Sequence, residues 1–180
     1  MLMNASSSGL LLIDMQEKLV PTVANAEGTV KNAGILLRAA ARLGVPILAS
    51  EQYPKGLGHT VEPLRALLPA DAVVEKVHFS CTDEPGFNRR LSGWGRDRIV
   101  VAGVEAHICV LQTAIGLREQ GYRCFVVGDA SSSRTPANAA LAFDRMRGNG
   151  IDIVSTEMVL FEWLHRSGTP EFKELSPLIR

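Results

Sequence analysis

The stretch DRIVVAGVEAHICVLQTAIGLREQ, from Asp97 to Gln120, combines the patterns of a buried strand and a helix. Ile99 to Val104 is apolar and rich in β-branched residues, as expected of a parallel strand that is covered on both faces. Beyond this run the apolar residues change to helical spacing. A strand, a sharp bend and a helix in this order predict one unit of an α/β fold.

Cys109 falls in about the first turn of that helix. The unpaired backbone N–H groups at this place favour an anion, so we expect its thiol to lose a proton more easily than a free cysteine. The same groups could hold a developing oxyanion. This makes Cys109 a candidate nucleophile at the carboxyl edge of the sheet. A buried, inert cysteine is the commoner alternative.

The rest of the chain alternates apolar runs with segments of helical spacing. This predicts repeated βαβ units, hence a parallel sheet with helices on both faces. A chain of 180 residues is long enough for one domain with a full core, and we expect a single domain with a frayed tail at residues 1–8. The predicted strands are 9–13, 45–49, 72–76, 99–104, 122–127 and 151–154, and the predicted helices include 25–43, 85–91, 136–147, 156–164 and a short one from Pro170.

Composition argues against some partners. The formal net charge is zero and no basic run occurs, so we expect neither a nucleic-acid nor a membrane partner. The longest apolar run near the start, Leu10 to Ile13, is far too short to cross a bilayer, and no secretion signal is evident. Three cysteines without framework spacing favour a reducing, cytoplasmic setting.

Two charged residues share the predicted location of Cys109. Asp14 and Lys76 both end predicted strands, and ligands of parallel sheets bind beyond these carboxyl ends. Asp14 could accept the thiol proton, and Lys76 could stabilise negative charge. Each has an ordinary alternative: Asp14 to Glu17 fits a D-x-x-E helix-capping pattern, and Lys76 could be a solvated lysine that protects a strand edge.

The other cysteines and the histidines give weaker signals. Cys124 lies within an apolar strand and is interpreted as core, while Cys81 is more simply incidental than reactive. His107 and Cys109 have no accompanying C-x-x-C, and the remaining histidines are scattered, so a metal site is not expected.

Three segments together resemble the isochorismatase-like cysteine hydrolases over nearly the whole length. They are LLLIDMQEKL with Asp14, VVEKVHFSC with Lys76 and VVAGVEAHICVLQTA with Cys109, in the order and separation of that family. The segments SEQYPKGLGHTV, GVEAHICV and VVGDASSSR are most similar to the subfamily of isochorismatase domain-containing proteins.

The resemblance implies an Asp-Lys-Cys triad on a Rossmann-like, three-layer α/β/α fold with a mainly parallel sheet. Carried over, Cys109 attacks a carbonyl carbon, Asp14 moves the proton and Lys76 bridges them electrostatically. In the family a cis peptide commonly precedes the nucleophile helix, here Val104–Glu105, with oxyanion donors expected near Ala106 and Cys109. A non-proline cis bond costs about 3–4 kcal/mol, so it would persist only with a function.

The sequence also departs from relatives in this superfamily. Nicotinamidases carry an Asp-x-His metal site where this chain reads Glu51-Gln52-Tyr53-Pro54, so we expect no metal and no cofactor. The resemblance further implies a small-molecule substrate and self-association as a dimer or larger. A weaker inference places five residues around the substrate pocket: Gln16, Gln52, Tyr53, Phe79 and His107.

The leading hypothesis is therefore a metal-independent hydrolase of a small amide or related C–N bond. Three alternatives stay open: a non-catalytic binding or scaffold protein that retains the fold, an isochorismatase- or nicotinamidase-type activity, and a redox-sensing thiol protein. The last would need Cys109 to cycle with a resolving cysteine such as Cys81.

Overall fold

A computed structural model describes residues 2–179, and its centre is one sheet of six parallel strands. The sheet order is β3-β2-β1-β4-β5-β6, which confirms the predicted parallel α/β architecture. The strands are β1 (Ser8–Ile13), β2 (Ile47–Gln52), β3 (Val73–Lys76), β4 (Arg98–Val104), β5 (Arg123–Ser132) and β6 (Asp152–Val154).

Helices cover both faces of this sheet. One layer is built mainly from α1 and α7, and the other mainly from α4, α5 and α6. None of the helices in residues 2–179 is long and apolar enough to traverse a lipid bilayer. The helices are α1 (Ala26–Leu43), α2 (Pro54–Leu57), α3 (Glu62–Arg65), α4 (Pro85–Ser92), α5 (Leu111–Glu119), α6 (Pro136–Gly148), α7 (Thr156–Leu164) and α8 (Pro170–Leu175).

Alternation along the central strands divides the core in two. Leu10 and Leu12 of β1 face the α1 layer, whereas Leu11 and Ile13 face the α5 layer. This follows from the two-residue period of a strand, because successive side chains point to opposite faces. Burying each such leucine or isoleucine stabilises the fold by about 1.5–3 kcal/mol, so both layers hold the sheet.

The strand order reverses between β1 and β4. From this pair the chain builds outward through β2 and β3 on one side and through β5 and β6 on the other. In open parallel sheets the connections diverge at such a point and leave a crevice beyond the carboxyl ends of the strands. Asp14 follows β1 and Cys109 follows β4, so the reversal brings both to that crevice.

Strand β5 is longer than predicted. We expected it to end at Val127, but it continues to Ser132 after a register shift. The residues of the shift project Asp129 outward, where its Oδ1 accepts hydrogen bonds from the backbone N–H and hydroxyl of Thr156, each 2.8 Å long. Gly128-Asp129 is therefore a bulge that caps α7, and not the turn that its composition indicates.

The expectation of a frayed tail is wrong for residues 2–8, which are ordered in the structure. Ala5–Ser7 forms a 3₁₀ turn and Ser8 already belongs to β1. Met3 is completely buried, and its backbone N–H donates to the Glu162 carboxylate at 2.5 Å. The apolar Met3 side chain joins the α1 and α7 core, which gives this segment burial that its small, polar composition does not reveal.

Gly103 fixes the distance between β1 and β4 at the crevice. Its φ is 153°, and a Cβ atom here would clash with the carbonyl oxygen of Ile13, directly before Asp14. We expect Gly103→Ala to lower the free energy of unfolding by about 1–3 kcal/mol, because backbone atoms of two paired strands cannot move apart freely. Urea unfolding measures this change.

Gly86 provides the matched control. It lies in α4, and a Cβ atom there would meet nothing within 4 Å. Gly86→Ala is expected to be neutral or to stabilise the protein by up to about 1 kcal/mol, as alanine does in helices. A Gly103→Ala variant as stable as Gly86→Ala would show that the close approach of β1 and β4 is not needed.

Candidate active site

Asp14 lies at the end of β1 with its side chain completely buried. Its φ of 52° is unusual for a residue other than glycine, and such conformations occur often at functional sites. One carboxylate oxygen accepts from the Ser50 hydroxyl at 2.7 Å, and the other accepts from Lys76 Nζ at 2.8 Å. The capping alternative was wrong, since no α-helix begins at Asp14.

Lys76 ends the edge strand β3, but its side chain is only 1% exposed, so it is not a solvated edge lysine. Besides Asp14, Nζ donates to Gln52 Oε1 at 2.6 Å and to the carbonyl oxygen of Phe79 at 3.1 Å. The carbonyl oxygen of His78 is a further acceptor at 3.3 Å. These acceptors hold the ammonium against the carboxylate of Asp14.

Cys109 occupies a π-helical turn, Ala106–Val110, between β4 and α5. We expected the first turn of an α-helix; the wider turn is shown by the 3.4 Å hydrogen bond from Val110 N to the Glu105 carbonyl, five residues back. Single π turns in helices are frequent at functional sites. The Cys109 side chain is buried, and the Asp14 carboxylate lies close enough to act on its thiol both as a charge and as a hydrogen-bond acceptor.

The resting thiol is not acidic, and this prediction was wrong. Burial raises the pKa of Cys109 above that of a free cysteine, and the negative charge of Asp14 raises it further. Lys76 opposes both effects but does not overcome them. The helix-terminus argument omitted a buried carboxylate beside the sulfur, whose charge and hydrogen bond both retain the proton.

Asp14 and Lys76 form a buried pair that can take up that proton. Burial raises the pKa of the Asp14 carboxyl above its ordinary value, although Lys76, Ser50 and Cys109 all lower it in part. Burial alone would lower the pKa of Lys76, but the charge of Asp14, the two neighbouring cysteines and the hydrogen bond to Asp14 together outweigh burial and raise it. Lys76 is therefore an ammonium beside a carboxylate that accepts protons more readily than an exposed aspartate.

Sequence reasoning missed Ser50 at this site and interpreted Cys81 there as incidental. Ser50 is on β2, where it pairs with Ile13 directly before Asp14, so the adjacent strand end was the available signal. Cys81 is 1% exposed; its backbone N–H donates to Thr113 Oγ1 at 3.0 Å, and its thiol lies near Ser50, which lowers its pKa in part. Burial raises the pKa of Cys81 to about 11. Cys124 is buried core, as interpreted.

The predicted pocket residues differ in their hydrogen-bond partners and in their exposure. Gln16 is buried, and its amide nitrogen donates to the carbonyl oxygens of Gln52 and Gly58 at 3.0 and 2.7 Å, so it braces a loop. Gln52 contacts Lys76 through Oε1. Tyr53 and Phe79 are more than half exposed. A groove of about 360 Å³ lies beside Lys76 and is lined by Tyr53, Pro54, Lys55, Glu75, Lys76, Val77 and Glu84.

The Val104–Glu105 peptide bond is trans, and residues 2–179 contain no cis peptide. The expected cis bond is thus corrected: Glu105, with φ −32° and ψ 101°, turns the chain from β4 into the π-helical turn with trans bonds, which are the lower in energy. Ala106 is completely buried at the start of that turn. His107 is 22% exposed and its Nδ1 lies 2.9 Å from Ser133 Oγ.

Glu51 has a structural role at the position where nicotinamidases carry metal ligands. Its Oε1 accepts from the backbone N–H and the hydroxyl of Thr60 at 2.7 and 2.8 Å, and its Oε2 lies 2.9 Å from His59 Nδ1. Its two oxygens thus tie the loop after α2 to β2. Within the described part of the chain, no three His, Cys, Asp or Glu side chains are grouped as a metal ion would require.

Comparison with known proteins identifies the family. The family model "Isochorismatase domain" matches residues 8–158. This chain belongs to the isochorismatase family. Isochorismatase domain-containing protein 2 of Danio rerio is 37% identical over 179 residues, which are 98% of this chain and 89% of that protein. Isochorismatase family protein 1B of Dictyostelium discoideum is 33% identical, over 97% of this chain and 86% of that protein.

Solved structures of other chains share the isochorismatase-family fold. A structure described as the MAR1 ribonuclease of Caenorhabditis elegans superposes with a TM-score of 0.93 at 34% identity, covering 99% of this chain and 92% of that chain. The Escherichia coli YcaC gene product, described as an octameric hydrolase of unknown specificity, has a TM-score of 0.93 at 22% identity, covering 98% and 90%. The second likeness shows the fold alone.

Proposed function

We propose that this isochorismatase-family protein is a cysteine hydrolase that cleaves a small amide or a related C–N bond. The observation that carries the proposal is the convergence on one buried carboxylate, Asp14, of the Lys76 ammonium and the Cys109 thiol. A thiol that donates to a carboxylate has its base in place, and the ammonium compensates the charge that moves. An inert core cysteine would need neither.

In the first half of the reaction, Cys109 Sγ attacks the carbonyl carbon while its proton passes to Asp14. The C–O π electrons move to oxygen, which becomes an oxyanion. Asp14 then gives the proton to the leaving nitrogen as the C–N bond breaks, and an amine or ammonia departs. A thioester on Cys109 remains, and Asp14 is again a carboxylate beside Lys76.

In the second half, Asp14 takes a proton from water as the water oxygen attacks the thioester carbonyl. The C–S bond breaks, the carboxylic acid leaves, and the proton returns from Asp14 to Cys109. Backbone N–H groups near Ala106 and Cys109 would hold the oxyanion in both halves, since the early amides of a helical turn lack partners within it. The raised pKa of Asp14 favours the two steps in which it accepts a proton, first from the thiol and then from water, because a stronger base accepts a proton more readily.

No metal or cofactor takes part in this scheme. Lys76 supplies the positive charge beside the reacting groups, and the carboxylate of Glu51, which stands at the metal site of nicotinamidases, is used by Thr60 and His59. A small molecule is the expected substrate, because Asp14, Lys76 and Cys109 are buried and the groove beside Lys76 holds only about 360 Å³.

The proposal is tested by a screen of small amides, carbamoyl compounds and ureides against wild type and Cys109→Ala in parallel. We expect at least one compound to be turned over by wild type, with Cys109→Ala at the level of buffer alone, and an acyl adduct on Cys109 in intact-mass spectra. Turnover retained in Cys109→Ala would end the proposal. A screen without turnover or adduct would favour a binding or scaffold protein.

The redox alternative has a separate outcome. All three cysteines are free and buried. Mass spectrometry after mild peroxide treatment would show a Cys81–Cys109 bond that forms and reverses with thiol reductant if Cys109 cycles as a sensor. We expect Cys109 to oxidise without pairing.

Ribonuclease activity is the second candidate, because the Caenorhabditis elegans structure at 34% identity is described as a ribonuclease. The formal net charge of zero offers little counterion-release affinity for RNA. Single-stranded RNA therefore belongs in the same screen, and cleavage that Cys109→Ala abolishes would favour this candidate over the amidase.

A reducing, cytoplasmic location stays a prediction. Self-association also stays a prediction, and light scattering after gel filtration measures it directly.

A further inference from the structure

Glu105 is a buried acid that the proposed reaction does not use. It follows β4 directly and precedes Cys109 by four residues, about one turn along the same helical segment. Its side chain is 5% exposed. One carboxylate oxygen, Oε1, accepts from Arg134 Nε at 2.8 Å. Arg134 lies at the surface with a side chain that is 61% exposed, so the ion pair reaches from the buried carboxylate to solvent.

The other oxygen of Glu105 is unsatisfied. Oε2 is buried and has no hydrogen-bond partner within residues 2–179. His107 Nδ1 is 3.4 Å away, but the same nitrogen lies 2.9 Å from Ser133 Oγ. That nitrogen carries at most one hydrogen, and Ser133 Oγ is the nearer of its two neighbours. A buried acceptor without a donor is costly, and a bound ligand is one way to satisfy it.

We propose that Glu105 Oε2 receives an N–H donor of the substrate and selects amides that carry an amino group beside the scissile carbonyl. This rests on the proposed function, since it places the acyl part of the substrate between Cys109 and Glu105. A carboxylate oxygen accepts from nitrogen donors and repels other anions, so acidic substrates are disfavoured. An ammonium is the best donor, because both partners of the hydrogen bond are then charged.

The neighbouring charges support this choice. Arg134 engages only Oε1 of Glu105, which leaves Oε2 open to a second donor. His107 lies beside the carboxylate, and its ring is held by Ser133 Oγ at 2.9 Å from Nδ1 and by Asn138 Nδ2 at 3.4 Å from Nε2. The His107 side chain is 22% exposed, so this side of Glu105 is the one nearest to solvent besides Arg134.

Glycinamide and propionamide form the matched test pair, since they differ by an ammonium in place of a methyl group. Binding is measured by ligand-observed NMR titration in the Cys109→Ala background, at a pH where the amine is protonated, so that no turnover interferes. We expect glycinamide to bind at least about tenfold more tightly, and Glu105→Gln to remove that preference. In glutamine the amide nitrogen can replace Oε2 while the oxygen keeps the Arg134 contact.

Glu51→Gln is the control, because Glu51 is also a buried glutamate at this edge but both its oxygens have partners. It should leave the ratio of the two affinities unchanged. Equal binding of both amides, or a preference that survives Glu105→Gln, would overturn the inference. If wild type hydrolyses amides but does not prefer glycinamide, the amidase proposal is kept and the role of Glu105 is rejected. If the preference exists without any hydrolysis, the binding site stands and the amidase fails.

Discussion

Asp14→Asn is expected to abolish turnover and, at the same time, to make Cys109 react faster with iodoacetamide. Turnover falls by about 10²–10⁴-fold because the proton acceptor is lost. Alkylation accelerates because the charge and hydrogen bond of Asp14 raise the pKa of the Cys109 thiol, whereas Lys76 lowers it. With asparagine in place, the ammonium becomes the charge nearest the sulfur, and the thiolate fraction at neutral pH increases.

The measurement is the rate of carbamidomethylation at pH 7, with the labelled cysteine identified by peptide mass spectrometry. In wild type, the rate at Cys109 should rise steeply with pH, since its raised pKa keeps the thiol protonated at neutral pH. Asp71→Asn is the control. The Asp71 side chain is 93% exposed, so this substitution should change neither the turnover rate nor the rate of Cys109 alkylation. An Asp14→Asn variant that alkylates no faster than wild type would show that Asp14 does not hold the thiol proton.

These opposite changes separate a base from a merely structural aspartate. A structural Asp14 would, when replaced, loosen the site and expose all three buried cysteines together. Cys124 is in the core, with a pKa raised to about 12 by burial, and so reports general loosening. Faster labelling confined to Cys109, with lost turnover, therefore distinguishes removal of the base from partial unfolding.

The three residues of the proposed triad could be placed at one edge of the sheet from sequence because of strand periodicity. Asp14, Lys76 and Cys109 each follow an apolar run, and the carboxyl ends of parallel strands meet at one edge. Their mutual contact did not follow from the pattern, and the family resemblance supplied the order of the three segments. The structure adds Ser50 and Cys81, which are brought in by pairing of β2 with β1 and by the turn after β3.

Other features depended on long-range packing that no local pattern records. The thiol pKa was predicted in the wrong direction because burial and the Asp14 charge arise only in the folded chain. The last residues of β5 lie beyond a bulge, where Gly128-Asp129 has the composition of a turn. Met3 is buried although the segment around it is polar. In each case tertiary contacts override the local signal.

Lys76→Met is expected to cost about 3–5 kcal/mol in the free energy of unfolding, because it leaves the buried Asp14 carboxylate without its cation. The loss should depend on pH. Lys76 is the largest influence that lowers the pKa of Asp14, so without it the already raised pKa rises further. The folded variant then keeps a proton that the unfolded chain releases above the ordinary aspartate pKa.

Because the folded state binds more protons, the stability of Lys76→Met falls as pH rises from the ordinary aspartate pKa through the raised one. Urea unfolding at pH 5 and pH 8 should therefore show a larger deficit against wild type at pH 8. Exposed Lys31 on α1 gives the control, since Lys31→Met should change stability by no more than about 0.5 kcal/mol at either pH. A deficit that is equal at both pH values would mean that Lys76 contributes packing rather than charge. A negligible deficit would mean that Asp14 does not depend on the ammonium, and the electrostatic part assigned to Lys76 in the reaction would have to be abandoned.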